Sequence, residues 1–305
     1  MHAAAISPRG GGVSPRNTRF RGQSIIEYVL IAAVIGLVVI FAGPQVSGAI
    51  RNQLNQVANT VDTGTDGDNF MSAEEKAYRE AMKTVVNKEA KDWTLDEQQA
   101  AATDIAKNGT SSVVYAKAKA AMDAGTKWSV KLTNGATMQY QIIGINHDDL
   151  ADGSGKAGLT FKSFGALSRS PFNSNKSIFG GWEKSEIRQR LNSGDLWNLL
   201  PTSFQSQIKP ITKRTKMDAG TADSVTKATV DSLFLLSRSE IDGGGVDEGQ
   251  QYRLYQDTPH LSMDSRAWTR SLDRWNVGRV YWEYYGAGSS GTPDNAQPIK
   301  PAFCF

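Results

Sequence analysis

Residues Val29 to Ala42 form an almost unbroken apolar run, and Glu27 stands at its leading edge. Arg9, Arg16, Arg19 and Arg21 lie upstream in a stretch with no acidic residue before Glu27. A carboxylate in a membrane-length segment costs roughly 2.5–3.5 kcal/mol on insertion scales, so such a charge is usually kept for a function. A secretory signal or a plain membrane anchor also has a basic start and an apolar stretch. A secretory signal, however, has its small-residue cleavage site after the apolar core, whereas Gly22 lies before it. The basic residues favour a cytoplasmic start, with everything after Ala42 outside.

Helical patterning continues beyond the run. Gly43-Pro44 permits a kink, because proline removes a backbone donor and crowds the preceding turn. Val46, Ile50, Leu54, Val57 and Val61 then recur at steps of four, four, three and four, one face of a helix. A continuous helix over residues 23–61 would span roughly 55–60 Å at 1.5 Å per residue. Half apolar and half amphipathic, such a rod suits a filament core, and equally an anchor followed by a stalk.

The order Gly22-Gln-Ser-Ile-Ile-Glu27-Tyr28 resembles the processing region of type IVb (Flp or Tad) prepilins, over Arg19 to about Val61. The resemblance implies that a membrane aspartyl prepilin peptidase removes leader residues 1–22, cutting between Gly22 and Gln23. Glu27 and Tyr28 are then the fifth and sixth mature residues. Glu27 would meet the new ammonium of a neighbouring subunit, so that two charges costly alone in lipid are tolerated together. Partners implied are other pilin subunits, the peptidase and the membrane, with the mature chain ending on a pilus or cell surface.

Downstream, the polar, glycine-bearing stretch 62–69 reads as a linker. Ser72 with Glu74 and Glu75 starts a helix, Thr94 and Glu97 fit a capping box, and Asn108-Gly109 ends that helix. Ser111 to Ala124 reads as one more helix, which makes residues 70–126 a helical spacer without chemistry. The sequon at Asn108 carries almost no weight. Net charge is +3 and no basic stripe interleaves with stacking aromatics, so no nucleic-acid partner is expected. The lone cysteine, Cys304, allows no intrachain disulfide and reads as a small buried apolar residue.

From Lys127 the pattern becomes β. Trp128, Val130 and Leu132 alternate, Asn134-Gly135 supplies a two-residue hairpin turn, and Met138, Tyr140 and Ile142 alternate back. Gly153-Ser-Gly-Lys156 is no phosphate loop, since Leu150 and Ala157 stand where glycine and Ser or Thr are needed. Asp148, Asp149 and Asp152 read as an acidic turn on a solvated loop rather than calcium ligands, and His147 has no second histidine or cysteine nearby for zinc. Leu233 to Leu236 reads as a buried strand, and Trp182, Trp197 and Trp268 as core anchors.

Trp182 to Asn192, Lys209 to Lys213, Ser232 to Ile241, Trp268-Thr-Arg-Ser271 and Lys300-Pro-Ala-Phe-Cys304 occur in that order. The series resembles an uncharacterised surface domain of gut bacteria. It is similar to C-type-lectin-like folds of the formylglycine-generating and retroelement-diversified groups, over residues 127–305. The fold class implied is α+β: long N-terminal helix, helical spacer, then a mixed α/β lectin-like domain. One cysteine cannot supply the cysteine pair of the oxidases, and the calcium-lectin sugar motifs are missing, so neither activity is carried over. No catalytic residue, metal or cofactor is expected.

The stretch Asp273, Arg274, Trp275, Asn276, Arg279, Tyr281, Trp282 and Tyr284 is rich in the residue types of interface hot spots. In retroelement-diversified relatives the corresponding stretch carries the variable binding residues, which makes these the candidate contacts to an extracellular protein or glycan. A C-terminal hairpin whose aromatics close the core, with Val277 and Val280 alternating, is the competing reading. Removing 22 of 305 residues leaves 283, a large head that favours a minor, adhesive pilin. The alternative is a structural or assembly-priming pilin-like protein whose globular domain caps the filament.

Overall fold

Ser72 accepts a hydrogen bond from the Glu75 amide (3.1 Å) and so begins helix α1, Ala73–Val85. A computed structural model describes residues 71–217, 225–244, 247–257, 266–283 and 289–305. The readings placed on Gly22, Gln23, Glu27, Tyr28, the 23–61 helix and Tyr284 lie outside the described residues. Among the described residues no helix is long and apolar enough to cross a membrane.

Helix α2 (Leu95–Asn108) opens with both arms of the capping box: Thr94 Oγ1 accepts from the Glu97 amide at 3.3 Å, and Glu97 Oε2 from the Thr94 amide at 2.8 Å. Gly109 caps its end with φ 57°. Helix α3 starts at Tyr115 (Tyr115–Asp123) rather than at Ser111. The Ser112 hydroxyl is held by Asp104 (2.5 Å) and itself accepts from the Val114 amide, which fixes a turn before the helix can begin.

The remaining elements, in chain order, are mostly short. They are β1 (Trp128–Lys131), β2 (Thr137–Ile145), β3 (Leu159–Ser163), β4 (Ser168–Ser170), α4 (Gly181–Lys184), α5 (Glu186–Ser193) and α6 (Thr202–Gln205). Then follow β5 (Ile211–Lys216), β6 (Thr226–Asp231), α7 (Arg238–Asp242), α8 (Arg253–Asp257), β7 (Ala267–Leu272), β8 (Val280–Glu283), β9 (Ser290–Gly291), β10 (Gln297–Ile299) and β11 (Ala302–Cys304). The described part is mixed α/β with a sheet-rich C-terminal region. Its largest sheet is antiparallel, in order β1-β2-β3-β11, and three smaller units pair β10 with β4, β5 with β6, and β7-β8-β9.

The β1–β2 connection is one residue longer than the expected two. Leu132 pairs with Ala136 (2.8 Å) and Gly135 closes a turn on Leu132, with Gly135 at φ 86°. A three-residue loop with glycine in the left-handed region matches strand twist as well as a two-residue turn does. Leu233–Leu236 is buried as expected but is not a strand: only Phe234 bridges, to Ala302. Phe234 exchanges both of its backbone hydrogen bonds with Ala302, and the pairing does not extend to its neighbours.

Residues 71–126 pack into the same core as the sheets. Trp93, Ala101, Ala102, Ile105 and Met122 share one apolar core with Phe161, Phe204 and Phe303. Trp128 Nε1 donates to the Ala90 carbonyl (3.1 Å) and Tyr140 Oη to Gln98 Oε1 (3.1 Å). Gly158 lets α2 lie against the chain before β3, for a Cβ there would sit 1.8 Å from the Ala102 carbonyl oxygen. Tyr140 organises the aromatic centre, edge-on to Phe161, Phe204 and Phe303 at 5.4–5.6 Å. Trp182 and Trp268 are fully buried anchors, while Trp197 is only half-buried.

Candidate functional site

Strands β7 and β8 carry the candidate stretch as a hairpin, with Trp268 opposite Trp282 and Leu272 opposite Val280. Between them, Asp273 organises the loop 273–279. Its Oδ1 accepts from the amides of Trp275 (2.9 Å) and Asn276 (3.1 Å), its Oδ2 from Asn276 Nδ2 (2.9 Å), and its own amide donates to the Arg279 carbonyl (2.9 Å). Burial works against the charge on Asp273, but hydrogen bonds from Ser290, Asn276 and the Trp275 amide hold its carboxyl below the usual range. Gly278, at φ 87°, turns the chain back into β8.

The sequence-predicted residues therefore separate by environment. Arg274, Trp275 and Asn276 are exposed, as is Val277, with Trp275 at 74% and Val277 at 76%. The Arg274 guanidinium lies 4.7 Å over the Trp275 ring. Arg279 is half-buried and donates through Nε and Nη2 to Ser290 Oγ (3.1 Å) and its carbonyl (2.7 Å). Asp273 and Tyr281 are buried, and Arg238 stacks 4.6 Å over the Tyr281 ring. Trp282 is half-buried, 6.2 Å from Trp268, and Gly291 leaves room for its indole. The exposed positions are the consecutive loop residues 274–277, and the strand residues on either side of the loop are buried or half-buried.

Sequence reasoning missed the charge network beneath this hairpin. Arg270, fully buried on β7, places all five of its N–H groups. Nε donates to Thr215 Oγ1 (2.9 Å); Nη1 to the Leu235 carbonyl (2.9 Å) and Glu240 Oε2 (2.5 Å); Nη2 to Glu240 Oε1 (3.0 Å) and the Glu248 carbonyl (2.5 Å). Lys213 on β5 bridges Glu240 (2.7 Å) and Asp148, and donates to Tyr252 Oη (3.0 Å). Asp148 is thus no solvated loop acid: Thr160 Oγ1 (2.6 Å) and Tyr252 Oη (2.9 Å) also donate to it, and His147 lies beside it. Burial opposes its ionisation, yet Lys213 holds Asp148 well below the carboxylate range, as Arg270 and Lys213 lower Glu240.

Glu248 completes the set. It accepts from the Lys216 amide (2.9 Å) and from the Ser271 hydroxyl, and burial pushes its carboxyl up, with Arg270 pulling only part of the way back. Two carboxylates, Asp148 and Glu240, face two cations, Lys213 and Arg270. A second buried pair, Lys162–Glu283 (2.7 Å), lies at the far end of β8. Burial and the neighbouring Asp148 push the Cys304 thiol well up, so the thiolate needed for nucleophilic chemistry is disfavoured. Among the described residues no three His, Cys, Asp or Glu side chains converge on a metal position. These groups are matched to one another, an arrangement that holds elements in place.

Two signals for the network were present in the sequence. Ser237 and Glu240 form a second capping box at the start of α7. Lys213 occupies an inward position in the alternation of β5, between Ile211 and Thr215.

Residues 154–305 match the model of a family described as a domain of unknown function, DUF6273. No curated protein and no solved structure matches the chain.

Proposed function

We propose that this chain is a minor pilin-like subunit of type IVb kind, anchored and assembled through its N-terminal helix, that displays a lectin-like ligand-binding domain outside the cell. One observation carries the binding half of this reading. A loop tied at four points by Asp273 presents an exposed tryptophan on a rigid turn, so little conformational freedom remains to be lost when a partner binds. The order of Gly22, Gln23, Glu27 and Tyr28 ahead of the apolar run supports the assembly half.

Each half has its own test. Mass spectrometry of the chain purified from its native cells should find Gln23 as the first residue; a chain still starting at Met1, or trimmed beyond Ala42, overturns the pilin reading. Cells carrying Trp275→Ala should lose adhesion while displaying the domain at normal levels. Unchanged adhesion would remove the hairpin from the binding role. The assembly-priming alternative predicts normal adhesion but absent pili when residues 127–305 are removed.

A further inference from the structure

We infer that the exposed end of the β7–β8 hairpin recognises an acidic protein surface, Trp275 entering an apolar socket while arginines meet carboxylates around it. This rests on the hairpin being the binding face, and it names the partner's chemistry.

The charge on the loop is one-sided. Residues 273–279 contain two arginines and one aspartate, and the aspartate is fully buried with both oxygens engaged inside the loop. The Asp273 carboxylate is thereby withdrawn from solvent, while the half-buried Arg279 keeps part of its guanidinium accessible. Arg279 is held by neutral acceptors alone, Ser290 Oγ and the Ser290 carbonyl, and among the described residues no carboxylate pairs with it. Two contacts on one edge fix the guanidinium plane, and its remaining donors suit a carboxylate of the partner. The Arg274 guanidinium stacks on Trp275 and widens the flat surface that the ring presents.

The apolar part selects protein among acidic ligands. Trp275 and Val277, two residues apart and each about three-quarters exposed, offer aromatic and aliphatic surface together. A sugar ring or a phosphate would use the indole or the arginines but gains little from a valine. A protein surface with a hydrophobic socket rimmed by acids uses all of them.

The test uses the full-length chain in detergent solution over three immobilised probes: a random glutamate–tyrosine copolymer, a lysine–tyrosine copolymer and hyaluronate. Binding to the glutamate–tyrosine copolymer alone is expected, weakening about tenfold between about 50 and about 300 mM NaCl. Trp275→Ala should weaken it about 30-fold, on the scale of a hot-spot truncation, and Arg279→Gln several-fold with a flatter salt dependence. Because Trp275 is exposed, its variant should keep the wild-type melting temperature. Binding to the lysine copolymer, or binding indifferent to Trp275→Ala, overturns the inference. Hyaluronate binding of equal strength replaces the protein partner by an acidic glycan. If no probe binds while Trp275→Ala still abolishes cell adhesion, the acidic partner is wrong and the hairpin stands as the binding face.

Discussion

Arg270 and Trp275 lie five residues apart on one hairpin and should respond oppositely to truncation. Arg270→Leu removes the guanidinium that pairs with Glu240 and leaves the buried acids with only Lys213, which should destabilise the fold by about 3–5 kcal/mol in urea unfolding. Trp275→Ala removes a side chain that is 74% exposed and should change stability by no more than about 0.5 kcal/mol. Glu248 gives a pH signature of its own. Burial raises its folded-state carboxyl above the usual glutamate range, so its share of stability is full below that range and is lost as pH rises through the folded value. Glu248→Gln keeps an acceptor for the Lys216 amide and a polar group for Ser271, and should abolish that decline. Thermal melts at pH 5 and pH 8 would check it: a wild type losing no more stability than the variant between those pH values would contradict the assignment.

Among the elements, α2 depends most visibly on a neighbour. Gly158→Ala would drive a methyl group into the Ala102 carbonyl, where neither backbone can move without opening the core. A loss of at least about 1–3 kcal/mol is expected, with raised hydrogen exchange in α2; wild-type protection in the variant would show that the helix does not lie there. Element boundaries in this region were legible wherever the determinant was local. Ser72, the Thr94–Glu97 box and Gly109 signal through residues within a turn of the helix end, and Trp128 to Ile142 alternate as a hairpin should. The rest depends on partners distant in sequence. Nothing near Asp148 in sequence indicates that Lys213, 65 residues on, will pair with it, so the local sequence reads as an acidic turn. In the candidate site, aromatic and arginine density located the hairpin, but only the pairing of β7 with β8 decides which side chains face out.

At the scale of the molecule, α1–α3 and the sheets share one apolar core even though the family match begins at residue 154. Amides in α2 and β3 should therefore exchange with one common opening free energy, and separate values would divide the region into independent units. Deleting residues 127–305 would leave Trp93, Ile105 and Met122 without the surfaces that cover them, so point changes are the cleaner probe of function. The five-donor arginine at the foot of the hairpin has an evolutionary corollary. Arg270 secures the strand beneath, and Asp273 with Asn276 and Gly278 sets the turn, so Trp275 and Val277 can be replaced with little threat to folding. A lineage could remodel the outward surface at these two positions while the scaffold stays the same.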